Sequence, residues 1–72
     1  MDTTTLPLKG EFIALCDLLK LVGIADSGGR GKQMVADGIV LVDGQIETRK
    51  TAKIRAGQVV TCLGQSVEVV NS

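Results

Sequence analysis

The amino-acid sequence predicts an α+β domain: two packed N-terminal helices followed by a small, mostly antiparallel sheet of about four short strands. Three observations support this class. From Phe12 to Gly38 the apolar residues recur at the three-four spacing of helix faces. From Ile39 onwards they fall in short β-branched runs separated by turn residues, Asp43-Gly44, Ala56-Gly57-Gln58 and Gly64-Gln65. The 72 residues have room for one small core, and helices followed by strands is the order of an α+β fold.

Residues 1–10 read as a short arm, or as an edge strand around Thr4–Leu8 limited by Pro7, and 11–72 as a single domain. The spacing of Phe12, Leu15, Cys16, Leu19 and Val22, widened by Leu18, predicts a helix over Glu11–Val22. Glu11 in its first turn and Lys20 in its last match the helix dipole, and Gly23 stops it. On this stripe Phe12 is a core residue. A second helix starts after Asp26-Ser27, which supplies the N-cap, and runs to about Asp37 before Gly38. Gly28, Gly29 and Gly31 each cost about 1 kcal/mol relative to Ala in a helix interior. Gly31 shares a face with Met34, Val35 and Gly38, so it reads as a close-packing position against the first helix. Arg30 and Lys32 lie about 200° apart on either side of that face and do not serve one phosphate. Two hairpins follow. Ile39–Val42 and Gln45–Thr48 flank Asp43-Gly44, a type I′ turn signal, and Val59–Leu63 and Ser66–Val70 flank Gly64-Gln65.

At 44% hydrophobic and 22% charged residues, the composition is that of a globular protein, neither disordered nor membrane-embedded. The longest aliphatic run, Ile39–Val42, is far short of a bilayer span. The opening Met-Asp-Thr-Thr-Thr has no cationic stretch before an apolar one, so no signal peptide is expected. Cys16 and Cys62, in apolar segments, read as free buried thiols, which places the protein in a reducing cytosol: a cytoplasmic protein is expected. The chain has no His, so the commonest general base and metal ligand is missing, and neither a zinc site nor any other cofactor is expected.

The formal net charge is zero, yet the charge is segregated. Arg49, Lys50, Lys53 and Arg55 place four of the eight cations in seven positions, with no acid among them. Such a patch attracts anions that net charge conceals, and phosphate is the first candidate. Ile54 is the one large apolar side chain in the run and is expected to anchor it to the core. The N-terminal end of the second helix, with Arg30 or Lys32, offers a second anion site. Aromatics narrow the partner further. There is no Trp or Tyr, and with Phe12 in the core there is no platform for stacking bases. The remaining mode is backbone and shape recognition, which suits structured RNA.

Ser27-Gly-Gly-Arg-Gly-Lys-Gln-Met-Val-Ala-Asp-Gly-Ile-Val-Leu-Val-Asp-Gly44 resembles the RNA-binding domain named after ribosomal small-subunit protein four, the alpha-L motif. Ser27, Lys32, Val40, Val42 and Gly44 match its pattern without a gap, and Gly57 falls at the right distance. The resemblance covers residues 11–63. It is closer still to small stand-alone bacterial proteins of this type, through Leu15-Cys-Asp-Leu-Leu-Lys-Leu21, Val42-Asp-Gly44, Glu47-Thr-Arg-Lys50 and Lys53-Ile54. Four positions depart from the family pattern. Gly28 stands for the Arg after the Ser, Gly31 for a small Ala, Asp43 for an Asn and Gln58 for an Asp. With the cation at Gly28 missing and Arg30 its nearest substitute, the loop is expected to carry more of the affinity.

The resemblance implies a non-catalytic RNA-binding protein for structured RNA, ribosomal or transfer RNA. Lys32, Arg49, Lys50 and Lys53 are the expected phosphate contacts, with Arg30, Arg55 and Lys20 behind them. Ser27 is expected to cap the second helix and touch RNA only secondarily. The alternative is a protein-interaction adaptor that docks its basic rim on an acidic partner. An enzyme is not expected, because neither Cys16 nor Cys62 has a His or an obvious cation to activate it, and Ser27 has no base.

Overall fold

Two tight turns and one close helix contact organise the chain, of which the computed structural model describes residues 2–72. Strands β1 (Asp2–Leu8) and β2 (Ile13–Ala14) come first, followed by helices α1 (Leu15–Leu21) and α2 (Gly28–Ala36). Then come β3 (Val40–Val42), β4 (Gln45–Ile46), β5 (Lys53–Ile54), β6 (Val59–Cys62) and β7 (Gln65–Asn71). Five strands form a sheet in the order β1-β7-β6-β3-β4, and β2 and β5 form a separate two-strand ribbon. Every pairing is antiparallel except that of β1 with β7. The α+β class and the mostly antiparallel sheet are as the sequence predicts; the ribbon is an addition.

Asp43 and Gly44 have φ of 52° and 83°, the two left-handed residues a type I′ turn requires. The second hairpin turns one residue earlier than expected, on Leu63-Gly64 with φ of 52° and 77°. Leucine is disfavoured in this conformation, so its identity gave no turn signal. β1 lies at the sheet edge, where Pro7 is tolerated because no further strand needs its missing N–H. Its Leu6 and Leu8 point into the core.

The first helix is shorter than the apolar spacing suggests. It begins at Leu15, because Ile13 and Ala14 pair with Ile54 and Lys53 in the ribbon. Glu11 and Phe12 therefore lie outside it; Asp17 is the acid in its first turn, and Lys20 the base in its last. A helix of 7 residues is not stable alone, so packing must hold it. Leu15, Leu18 and Leu19 supply that packing, joined in one core by Met34 and Val35 of α2 and Val40, Val60, Val67 and Val69 of the sheet. Cys16 and Cys62 are free and buried.

Gly31 takes the close-packing role its position suggests. A Cβ there would stand 2.8 Å from the carbonyl oxygen of Cys16, a backbone atom that cannot step aside alone. Gly31→Ala should therefore lower stability by about 1–3 kcal/mol despite the better helix propensity of Ala. Thermal unfolding measures this, and a variant as stable as the parent would contradict the contact.

Candidate functional site

The basic run follows β4 and leads through β5. Ala52 and Ile54 are buried, so the period-two alternation through β5 turns Lys53 and Arg55 outward. Thr51 is exposed in the turn before β5, and Arg49 is exposed at the start of that turn. These four, with Ala52, line a shallow polar concavity of about 360 Å³. Ile54 is the anchor the sequence suggests, and Ala52 is a second one.

The loop backbone is tied to α1. The residue before that helix, Ala14, offers no side-chain cap. Instead Leu15 N–H donates to the carbonyl of Ala52 at 3.0 Å and Cys16 N–H to that of Lys50 at 3.1 Å. Two otherwise unpaired helix donors are thus satisfied by the basic loop. Within the loop, Ala52 N–H closes a turn on the carbonyl of Arg49 at 3.0 Å.

Arg49 is not free. Its Nε donates to Glu47 Oε1 at 2.9 Å and its backbone N–H to the same oxygen at 3.0 Å, the one ion pair among the described residues. The guanidinium hydrogen bond holds the Glu47 carboxyl below the ordinary carboxylate range and raises Arg49. Lys53 sits over an aromatic ring, its Nζ 4.9 Å from the Phe12 centroid. Such an exposed cation–π contact is worth about 0.5–1 kcal/mol. Phe12 is 42% exposed, contrary to its expected place in the core, because α1 starts three residues later. At Arg55 the backbone N–H donates to Gln58 Oε1 at 2.7 Å, and Gln58 Nε2 reaches Asp43 Oδ2 at 3.5 Å. Asp43 Oδ1 in turn accepts from Val59 N–H at 2.9 Å. Two of the positions that depart from the family pattern, Asp43 and Gln58, therefore bond to each other and brace the turn behind Arg55.

The other sequence-predicted residues are exposed but do not line this concavity. Lys50 lies in the turn between Arg49 and Ala52. Ser27 caps α2, its Oγ accepting from Arg30 N–H at 3.1 Å. Arg30 lies close enough to Cys62 for its charge to oppose the rise that burial causes in that thiol. Lys32 leaves the helix on the other side of the Gly31 face. Lys20 lines a different depression, with Ile13, Asp17 and Leu21. The two cationic segments nevertheless share one reference point, because Cys16 packs its carbonyl under Gly31 and gives its N–H to Lys50. Phe12, Thr51, Glu47 and Gln58 were not singled out by sequence reasoning as site residues. Thr51 sits in a turn that no local signal in the sequence marks.

Two helices, a short sheet and a basic loop docked on the first helix define an S4-type domain. The chain belongs to the S4 domain family, whose model matches residues 6–70. It is 53% identical over 62 residues to "Putative RNA-binding protein YbcJ" of Escherichia coli strain K12, covering 86% of this chain and 89% of that protein. An uncharacterised YbcJ protein of Shigella flexneri matches with the same identity and coverage. The solution structure of Escherichia coli YbcJ superposes with a TM-score of 0.66 at 50% identity, over 97% of this chain and 87% of that one. That structure is described as revealing an alpha-L motif involved in RNA binding.

The Glu47–Arg49 pair has a defined pH signature. A lowered carboxyl pKa means that the pair's small stabilisation is present above the ordinary Glu value and lost as pH falls through the lowered one. Carboxyl-carbon NMR should place the Glu47 titration below the ordinary glutamate range, and Arg49→Gln should return it to that range. An unchanged Glu47 titration in the variant would contradict the pairing.

Proposed function

We propose that this chain is a non-catalytic, cytoplasmic RNA-binding protein that grips the phosphate backbone of structured RNA, of the ribosomal or transfer class. The observation that carries this is the concavity in which Arg49, Lys53 and Arg55 converge on a braced backbone. Guanidinium groups bind phosphate in bidentate fashion, and a loop already held in shape loses little further entropy on binding. Arg49 exchanges Glu47 for a phosphate, so Glu47 tempers its charge in the free protein. Lys50 and Lys32 extend the contact along the backbone, with Arg30 and Lys20 further out and Ser27 holding the end of α2. Residues 11–63 form the binding unit. Membership of the family and the printed description of the YbcJ structure support the reading.

The test uses bulk transfer RNA as probe. Replacing Arg49, Lys53 and Arg55 together by Glu should abolish binding with the fold intact, and neutralising them should reduce the log–log salt slope by about 2 to 3. Unchanged affinity would overturn the assignment. Partners that stay bound after ribonuclease treatment would favour the adaptor instead.

A further inference from the structure

Phe12 is the only aromatic residue of the chain, and it stands at a junction. It lines an apolar groove of about 410 Å³ with Leu6, Leu8, Ile13 and Leu21. This is within the size range of small-molecule pockets, roughly 300–1,000 Å³. Its ring also carries the ammonium of Lys53, which itself lines the basic concavity. One contact, Lys53 on Phe12, therefore joins an apolar groove to the cluster assigned to phosphate.

The charges around the groove select its occupant. Lys9 is also part of its lining, and Lys53 holds its ammonium over the Phe12 ring, so two cationic residues border it. An aliphatic partner segment would have to strip water from these cations without replacing it. A nucleotide would not, because it brings a flat apolar face for the ring and a phosphate for the ammonium. Lys53 hangs on a flexible four-carbon stem, so its move onto a phosphate leaves the ring free to stack.

We infer that Phe12 and Lys53 form a single-nucleotide subsite, in which an unpaired base of the bound RNA stacks on the Phe12 ring while Lys53 holds its phosphate. The inference rests on the RNA-binding reading above and deepens it. The preferred RNA is then a folded one with a base out of its helix, at a bulge or an end. Stacking tolerates any base, so the subsite reads the unpaired state rather than the sequence.

The experiment compares a fully paired RNA duplex with the same duplex carrying one bulged adenosine. The wild-type chain should bind the bulged RNA more tightly. Phe12→Leu should weaken that complex about 5- to 150-fold and the paired duplex far less, and Phe12→Trp should restore it. In the wild-type protein the ring protons of Phe12, its only aromatic side-chain signals, should shift upfield with the bulged RNA and not with the paired one. That readout needs no variant to fold. Equal weakening on both RNAs, or ring signals that do not respond to the bulge, would overturn the subsite while RNA binding stands. A wild-type chain that binds neither RNA would overturn both readings.

Discussion

The peptide groups around Cys16 are the constraint on which the rest of the structure depends. Ala14 leaves α1 without a side-chain cap, so the amides of Leu15 and Cys16 need acceptors, and leaving a buried donor unpaired costs about 1–3 kcal/mol. The carbonyls of Ala52 and Lys50 provide them. On its other side, the Cys16 carbonyl lies against Gly31, where an added Cβ would stand 2.8 Å from its oxygen. A short helix that could not persist alone thus becomes the frame against which both cationic segments are set.

Once the loop is fixed in this way, the placement of charge follows from β5 and the turn before it. Burying Ala52 and Ile54 turns Lys53 and Arg55 outward, the turn closed between Arg49 and Ala52 sets Arg49 and Thr51 beside them, and bracing by Gln58 and Asp43 holds the far end. A chain of zero net charge can in this way present a strongly positive face without long-range repulsion across the domain. Glu47 is part of the same economy: it pairs with Arg49 at 2.9 Å. Solvent exposure keeps that pair weak.

Most of the architecture was legible in the sequence because the signals were local. Ser27 capped as its position indicated, Gly31 packed as its face indicated, and Asp43-Gly44 turned as its left-handed preference required. Errors arose where a non-local partner decided the outcome. Phe12 has the spacing of α1's apolar stripe, but pairing of Ile13 with Ile54, 41 positions away, takes the preceding backbone for a ribbon. That pairing moves Phe12 from the core to the surface, and with it the inference that the chain lacks a stacking platform. The turn at Leu63 was illegible because Leu adopts the left-handed region only when flanking strands impose it. The cations were readable as a cluster, but which of them converge depended on a turn between Arg49 and Ala52 and on the burial of Ile54 and the small Ala52.

The basic loop serves as the cap of α1, and amide hydrogen exchange on Leu15 and Cys16 tests this most directly. Bonded to the carbonyls of Ala52 and Lys50, both amides should exchange only through global unfolding, as slowly as the core amides of β6. Fast exchange at these two positions, with the core still protected, would show that the loop moves independently of the helix and would contradict the account.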